Sequence, residues 1–452
     1  MVGTRWIGAM GLAAAMTTVA GGTIPADAGA AAVTCRGRTA TIVGTDSGDD
    51  ITGTRGNDVI HSLGGFDAVD GRGGNDVICG GPGADSLRGG AGSDRIFGER
   101  GGMTSHGRDD HWAGNAVRGG PGNDYLSGGP DHVESGTPDR ADYSESTGPI
   151  VVGRDGRVTG PGVGTDTLAP DFELIVGTTR ADRLLTVGPR SSLRSLAGAD
   201  QLRVRPGVTG VDLYSGPGVD RIDGTQASGP LQLAGGEGDD VLLAGPAADR
   251  VFSEDGSDVV RTYGGDDYVL SDAWDAVRGS DTVQSGAGDD LILLGIGPMS
   301  RGTDITTGPG TDTLETTWTG GRAIVDAATG VTRLGDNLVA RFADVERHQF
   351  RGPYQRGDLY FTGSALADDV DVTFQALSTI TVLAKGGDDT VSLEGTESLD
   401  VYIRGGDGDD RIHGSDTDDT LIGDSGDDTV DGAAGVTDRC DAEQEANCEL
   451  EP

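Results

Sequence analysis

The stretch GGPGADSLRGGAGSDRIFG, residues 80–98, contains an aspartate every nine residues. Asp85 and Asp94 each follow a glycine-rich run, and each precedes a branched aliphatic residue, Leu87 or Ile96, by two positions. A nine-residue period is too long for a helical turn or for simple strand alternation. The pattern instead predicts a chain that winds in regular coils.

The period continues without a gap from residue 44 to residue 97, which divide into six nonads. Each nonad has aspartate at its sixth position and Ile, Val or Leu at its eighth. The pattern predicts a glycine-rich turn followed by a three-residue strand with one inward apolar side chain. Two nonads then make one coil, so alternate nonads stack on the same side. The sixth-position residues are Asp49, Asp58, Asp67, Asp76, Asp85 and Asp94.

The composition is unusual for a globular protein. The 452-residue chain has 81 glycines and only 35% hydrophobic residues, so a conventional core of large side chains is not expected. Its formal net charge of −40 opposes compaction unless cations neutralise it. The same charge argues against nucleic acid as a partner, and no apolar stretch is long enough for a membrane span. Cations are the expected partners.

The nonads follow the pattern G-G-x-G-x-D-x-U-x, and the chain resembles RTX, or hemolysin-type, calcium-binding repeat proteins. The resemblance implies an all-β fold: a parallel β-roll, β-helix-like solenoid of glycine-rich nonapeptide repeats. Irregular segments would interrupt it, and disulfides would staple its ends. It also implies several Ca²⁺ ions between stacked turns, held by sixth-position carboxylates and by backbone carbonyls of two successive coils. We expect folding to be coupled to this binding.

The expected metal ligands are the sixth-position aspartates of the regular nonads. They are Asp49, Asp58, Asp67, Asp76, Asp85, Asp94, Asp124, Asp240, Asp249, Asp258, Asp267, Asp410, Asp419 and Asp428.

Breaks in the period divide the chain into three repeat blocks. Two long segments do not scan as nonads, and we expect them to extend the spiral and not to form catalytic domains. The predicted divisions are a signal peptide (1–28), an N-terminal cap (29–43), a first β-roll (44–130) with a loop insertion (98–118), an irregular segment (131–176), a second, partly one-sided β-roll (177–293), an irregular segment (294–362), a third β-roll (363–431) and a C-terminal cap (432–452).

The first section of the second block, before Asp240, predicts calcium on one edge only. Aspartate is present at the sixth position in every other nonad, at Asp182, Asp200 and Asp220. The nonads between them carry Ser191, Thr209 and Gly229 instead. Since alternate nonads share a side, one edge of the spiral keeps its carboxylates and the opposite edge does not.

The first 28 residues read as a signal peptide. Arg5 precedes the apolar, small-residue-rich stretch 6–22, and Ala26-Asp27-Ala28 offers an A-x-A cleavage site. The predicted location is therefore secreted and extracellular.

Four cysteines suit that oxidising environment and allow three pairings. We favour Cys35–Cys79 and Cys440–Cys448, because each pair brackets one end of the repeats. Zinc binding is the alternative, although no C-x-x-C pair is present.

Catalytic motifs are not evident in the sequence. It contains neither H-E-x-x-H nor G-x-S-x-G. The segment HGRDDHWAGN, residues 106–115, is either a loop metal site or a solvated loop. The predicted function is an exported, multi-site calcium-binding protein, not an enzyme, that acts as an extracellular structural or interaction module. A calcium-dependent polysaccharide-active enzyme with a site on a solenoid face is the alternative, and a protein or polysaccharide partner stays open.

Overall fold

The protein is an all-β solenoid. The computed structural model describes residues 32–100, 102–103, 112–130, 138–271, 279–296, 302–318, 320–352, 357–374, 377–395, 400–435 and 437–448. These residues form 46 strands, numbered here in chain order, and contain no helix. Most strands alternate between two long parallel sheets, so that the chain winds through about 17 coils. The fold class expected from the nonads is confirmed.

Sheet I consists of β3 (Ile42–Thr45), β5 (Val59–Leu63), β7 (Val77–Cys79), β9 (Arg95–Phe97), β13 (Tyr125–Ser127), β15 (Val151–Val152), β16 (Arg157–Gly160), β17 (Gly164–Leu168), β19 (Arg183–Leu185), β21 (Gln201–Arg203), β23 (Arg221–Asp223), β25 (Val241–Leu243), β27 (Val259–Arg261), β29 (Thr282–Gln284), β31 (Thr303–Thr306), β33 (Gly321–Asp326), β34 (Val331–Leu334), β35 (Asn337–Ala343), β37 (Gly357–Thr362), β39 (Leu377–Gly386), β41 (Asp400–Asp407), β43 (Asp419–Ser425) and β45 (Arg439–Asp441).

Sheet II consists of β4 (Asp50–Thr52), β6 (Ala68–Asp70), β8 (Ser86–Arg88), β12 (Ala116–Arg118), β14 (Arg140–Asp142), β18 (Leu174–Val176), β20 (Ser192–Arg194), β22 (Val211–Tyr214), β24 (Leu231–Ala234), β26 (Arg250–Phe252), β28 (Tyr268–Ser271), β30 (Leu291–Ile296), β32 (Thr313–Trp318), β36 (Arg347–Arg351), β38 (Asp369–Thr373), β40 (Thr390–Glu394), β42 (Arg411–His413), β44 (Thr429–Asp431) and β46 (Gln444–Ala446). Two short antiparallel pairs lie outside the sheets: β1 (Thr34–Cys35) with β2 (Arg38–Thr39), and β10 (Gly102–Met103) with β11 (Trp112–Ala113).

The core is a pair of apolar columns made by the eighth-position side chains. In sheet I, Ile60 pairs with Ile78, and Ile78 pairs with Ile96, each one coil apart. All three side chains are fully buried. Burying a side chain of this size contributes about 1.5–3 kcal/mol. The two-nonad coil therefore places one apolar residue from each nonad between the sheets.

The two segments that do not scan as nonads lie within the solenoid. In the first, β15, β16 and β17 form an antiparallel meander, and parallel pairings with β19 and β13 join the meander to sheet I. In the second, β33, β34 and β35 repeat this arrangement between β31 and β37. Both segments thus extend the solenoid, with a local reversal of strand direction.

Disulfides lie near both ends of the described chain. Cys35 in β1 is bonded to Cys79 in β7, with 5.7 Å between their Cα atoms. Cys440 in β45 is bonded to Cys448, with 5.9 Å between their Cα atoms. Both distances are normal for disulfides. The favoured cysteine pairing is confirmed.

Some sequence predictions fall outside the described residues. The signal peptide at 1–28 does so entirely, as do His106, Asp109, Asp110 and His111 of the loop insertion. Within the described part of the chain, no helix combines the length and apolar character needed to cross a membrane.

Candidate functional site

The sixth-position aspartates stand at the junction of turn and strand, where they form a ladder along each edge of the solenoid. On the sheet I edge, the backbone N–H of Asp58 donates to Asp76 Oδ1 at 2.8 Å, and that of Asp76 donates to Asp94 Oδ1 at 2.7 Å. The backbone N–H of Asp49 donates to Asp67 Oδ1 at 2.8 Å on the sheet II edge. Each bond joins one coil to the next, so one carboxylate oxygen of each acceptor is committed to holding the coils together.

The turns are of two kinds, which differ in the hydrogen bonding of the second carboxylate oxygen, Oδ2. We call them closed and open turns. In a closed turn, the backbone N–H of the second nonad residue donates to Oδ2 of the aspartate in the same nonad. Thr54 N–H donates to Asp58 Oδ2 at 2.7 Å, and the Thr54 hydroxyl donates to the same oxygen at 2.9 Å. The same hydrogen bond from a backbone N–H to Oδ2, at 2.6–2.7 Å, closes the turns of Asp49, Asp182, Asp249, Asp368 and Asp419.

In an open turn, the second residue has a positive φ, which directs its N–H away from the carboxylate. Arg72 is the second residue of the nonad that contains Asp76, and its φ is +69°. Gly236 holds the same position in the nonad of Asp240, and its φ is +104°. In the described part of the chain, Oδ2 of these aspartates is then buried without a hydrogen-bond partner. Open turns with such an oxygen are those of Asp67, Asp76, Asp85, Asp94, Asp124, Asp200, Asp220, Asp240, Asp267, Asp290, Asp312, Asp389, Asp410 and Asp428.

Asp258 shares the open backbone conformation, because Glu254, the second residue of its nonad, has φ +67°. Of the fourteen ligands expected from sequence, four therefore lie in closed turns and nine in open ones, and Asp258 shares only the backbone conformation of the open turns. The four are Asp49, Asp58, Asp249 and Asp419.

Gly71 and Gly235, the first residues of two open nonads, leave little space for a β-carbon, whereas other open nonads begin with Ser, Thr or Ala, as at Ser62, Thr262 and Ala384. A β-carbon added to Gly71 would lie 2.5 Å from Asp76 Oδ2 and 2.6 Å from the carbonyl oxygen of Gly89 in the next coil. One at Gly235 would lie 2.6 Å from Asp240 Oδ2 and 2.9 Å from the carbonyl oxygen of Ser253. A carboxylate oxygen and a backbone carbonyl oxygen of successive coils thus converge beside the glycine. Oxygen donors of these two kinds suit a hard cation such as Ca²⁺.

Electrostatics in the open turns also favour a bound cation. Desolvation, partly offset by the N–H donated from the previous coil and reinforced by neighbouring carboxylates, raises the pKa of Asp85 and of Asp124 to about 8. The same causes raise the pKa of Asp240 and of Asp389 to about 7. A buried carboxylate that must ionise without a positive partner is unfavourable. A cation between the coils would relieve this penalty.

The carboxylates are spread along the ladders, one to a turn. Among the described residues, no three His, Cys, Asp or Glu side chains come together as a group that could hold a metal ion. Backbone oxygens would thus have to complete the coordination of any ion in an open turn.

The first section of the second block has the one-sided ladder that its sequence predicts. The N–H of Asp182 donates to Asp200 Oδ1, and that of Asp200 donates to Asp220 Oδ1, both at 2.7 Å. On the opposite edge, Ser191 Oγ accepts the N–H of Gly188 at 2.6 Å within its own turn. A neutral hydroxyl there replaces the carboxylate and needs no cation.

Some ladder residues were missing from the sequence prediction. Asp290 and Asp312 lie in open turns, and the motifs GAGDD at 286–290 and GPGTD at 308–312 carry the expected glycines. At the irregular coils, other side chains continue the ladders. Glu173 accepts the N–H of Asp139 at 2.7 Å, and Glu346 accepts that of Asp312 at 2.9 Å. Both glutamates lie in stretches rich in acidic and aromatic residues, DFELIVG and FADVERHQFRG, and this shared composition is the sequence feature that could have indicated their role.

Comparison with known families agrees with this geometry. The family model of the RTX calcium-binding nonapeptide repeat matches residues 43–78, 70–102, 113–132, 233–272, 276–297 and 404–436. The open turns of Asp76, Asp240 and Asp410 lie inside matched segments, whereas those of Asp200 and Asp389 lie outside them. No curated protein matches the chain. The solenoid therefore carries RTX calcium-binding nonapeptide repeats in several copies, and such repeats bind Ca²⁺ at multiple sites.

Proposed function

We propose that calcium ions occupy the open turns and that this binding drives the solenoid to fold. The observation that carries the proposal is the buried Oδ2 atom, which has no hydrogen-bond partner in the described residues of turns such as those of Asp76 and Asp240. Such an oxygen is costly to bury unless a positive charge faces it. Calcium would take this oxygen, the converging backbone carbonyl and water or further backbone oxygens to reach six to eight ligands.

We propose that the closed turns hold their shape without calcium. Thr54 already provides Asp58 Oδ2 with an amide and a hydroxyl hydrogen bond. Ser415 N–H does the same for Asp419 Oδ2 at 2.6 Å, and the Ser415 hydroxyl donates to Asp419 Oδ1 at 2.9 Å. A charge-assisted hydrogen bond of this kind satisfies a carboxylate with no metal present. Asp49, Asp58, Asp249 and Asp419 would then be structural acceptors.

The role that fits this design is an exported structural or interaction module and not an enzyme. RTX repeats on a β-solenoid are typically structural calcium-binding elements. Two disulfides agree with an oxidising, extracellular environment, where calcium is abundant. A site with a dissociation constant of about 10⁻⁴ M, in millimolar calcium, stabilises the fold by about 1.4 kcal/mol. Many such sites together would decide whether the folded state exists.

Calcium titration of the chain from residue 29 onward tests the proposal. Circular dichroism and isothermal titration calorimetry would be recorded from calcium-free to millimolar conditions, with magnesium as the matched control ion. We expect a cooperative gain of β structure together with uptake of several calcium ions per chain. Magnesium should do much less, because it demands a smaller, octahedral site. Retention of full β structure and absence of calcium uptake would overturn the proposal.

A further inference from the structure

A groove runs along the outer face of sheet I, where the first meander meets the regular coils. Its floor includes the outward side chains of β19 and β21, namely Arg183, Gln201 and Arg203. Gly153 and Arg154, at the turn between β15 and β16, form a wall. The groove has a volume of about 680 Å³. That size is typical of ligand sites.

The groove carries positive charge on a strongly acidic protein. Arg154, Arg183, Arg203 and Arg205 line it. The ion pairs found within 4.0 Å among the described residues include none of these four arginines. Four guanidinium groups thus lack a carboxylate partner in a chain whose net charge is −40.

The nearby acidic groups are already engaged by other arginines. Asp223, which also lines the groove, lies 3.9 Å from Arg221 and accepts a hydrogen bond from the Thr225 hydroxyl at 2.7 Å. Asp155, beside Arg154, lies 3.6 Å from Arg157. Asp223 also lies opposite Arg203 in the neighbouring strand, and Asp155 acts on Arg205 through its charge. These two carboxylates offset only part of the charge of the four groove arginines, and the remainder is available to a ligand.

Arg205 makes the groove a built feature and not a chance gathering of surface side chains. Its guanidinium spans from the regular coils to the meander, donating to the carbonyl oxygens of Val187 at 3.1 Å and Arg154 at 2.7 Å. Its Nε atom is buried and has no hydrogen-bond partner among the described residues. Burial lowers the pKa of Arg205. Neutral carbonyls accept hydrogen bonds from some of its donors, and the charge of Asp155 offsets only part of the effect of burial.

We propose that this groove binds an acidic saccharide, with the arginines contacting its carboxylate or sulfate groups. Guanidinium groups pair with such planar or multi-oxygen anions through paired hydrogen bonds. Gln201 and Gln226, which also line the groove, offer both donors and acceptors to sugar hydroxyls.

Other anionic polymers fit the groove less well. None of the described lining residues is aromatic, so nucleic-acid bases find no stacking partner.

Calorimetric titration of the chain from residue 29 onward in millimolar calcium tests the site. The probe is a hexameric oligogalacturonate, and its fully methyl-esterified form is the matched neutral ligand. The Arg183→Gln/Arg203→Gln variant removes two exposed charges from the groove floor and should weaken binding by about tenfold or more. Arg261→Gln is the matched control, because Arg261 lies on the same sheet outside the groove and donates to Gln284 at 2.9 Å. Its binding should be unchanged.

Several outcomes would overturn the proposal. One is equal binding of the charged and the esterified hexamer, and another is equal binding by the double variant and the parent. Tighter binding of a polyaspartate peptide or single-stranded DNA than of the hexamer would assign the groove to a different class of ligand. Calcium-dependent circular dichroism of each variant checks that the solenoid still folds, so loss of saccharide binding is separated from loss of calcium binding.

Discussion

Asp76 Oδ1 accepts the backbone N–H of Asp58 across one coil at 2.8 Å, yet the two carboxylates differ in their second oxygen. Asp58 Oδ2 is closed by two hydrogen bonds from Thr54, whereas Asp76 Oδ2 has no hydrogen-bond partner among the described residues. Neighbouring residues of one ladder thus have opposite needs for a cation.

Asp76→Asn should remove calcium from one turn, and Asp58→Asn should not. Asparagine keeps the Oδ1 acceptor for the neighbouring coil but loses the charge that a calcium ion requires. We expect Asp76→Asn to lower the free energy of unfolding in millimolar calcium by about 1.4 kcal/mol and to reduce the calcium uptake. Calorimetry and urea unfolding would measure both quantities. Equal loss of calcium in the two variants would contradict the distinction between open and closed turns.

Thr54→Gly should convert a closed turn into an open one. The variant nonad reads GGRGNDVIH, which matches the full repeat pattern because Gly56 is already present. Glycine adopts positive φ without strain, so the amide can leave Asp58 Oδ2 and expose it to calcium. We expect one additional calcium ion per chain by calorimetry. Thr54→Ala is the control, because alanine keeps the hydrogen bond from the backbone N–H to Asp58 Oδ2 and should leave the number of bound calcium ions unchanged. The same count in both variants would refute the prediction.

Gly71→Ala should impair calcium binding, because the added β-carbon would lie 2.5 Å from Asp76 Oδ2. Overpacking of this kind costs about 1–3 kcal/mol. Gly56→Ala is the matched substitution, because its β-carbon would meet nothing closer than Thr54 Oγ1 at 3.7 Å. In saturating calcium, the Tm of Gly71→Ala should be well below that of the parent protein, and the Tm of Gly56→Ala should be close to it. The reverse ranking would mean that the space beside Gly71 is not part of a calcium site.

Acidification should stabilise the calcium-free protein. Burial raises the pKa of Asp85 and Asp124 to about 8 and that of Asp240 to about 7, whereas an unfolded aspartate titrates near pH 4. Between these limits the folded state binds more protons than the unfolded state, so stability falls as pH rises.

Circular dichroism at pH 5 and pH 8, after calcium removal on a chelating resin, would measure this effect. The calcium-free protein should retain more β structure at pH 5. Saturating calcium is the control condition, because the ion replaces the protons and should diminish or reverse the trend. Lower stability at pH 5 without calcium would contradict the burial of ionisable oxygens in the open turns.

Loss of the Cys35–Cys79 disulfide should destabilise more than loss of Cys440–Cys448. The first closes a loop across 44 positions and the second across 8. Loop-closure entropy then gives about 4 kcal/mol for the first and about 2.5 kcal/mol for the second. Paired alanine variants, unfolded by urea in saturating calcium, would test the order. A larger effect of the C-terminal pair would show that the loop-closure entropy does not dominate.

Much of the fold could be predicted from local pattern. The spacing of Ile60, Ile78 and Ile96 already requires that they stack, because each is separated from the next by two nonads and every nonad has the same length. The meanders were harder to foresee. The pairing of β16 with β17 reverses the strand direction through a short turn in which Gly160 pairs with Gly164, and the nine-residue period does not record such a local hairpin.

The candidate site could be predicted only in part. The sequence indicates the turns of Asp76 and Asp240 through their glycines, but it also indicates those of Asp49 and Asp58, which the structure closes. Glu173 and Glu346 continue the ladders at positions where no nonad exists. Each glutamate accepts a backbone N–H from the preceding coil, so its role depends on contacts between coils and not on the local sequence.

The sequence by itself determined the coil length, the apolar columns, the cysteine pairs and the sixth-position aspartates, because each follows from a repeated spacing or a short list of alternatives. Only the tertiary structure showed that these carboxylates divide into open and closed turns, although the second nonad residue carries a local signal: it is Ser or Thr in five of the six closed turns. Thr54 and Arg72 occupy the same nonad position, yet the φ of Arg72 is +69° and the amide of Thr54 turns to the carboxylate. It also decided the arginine groove, where Arg154 and Arg205 meet across 51 positions of chain. The conformation of the second nonad residue sets the first, and a long-range contact, which no local period records, sets the second.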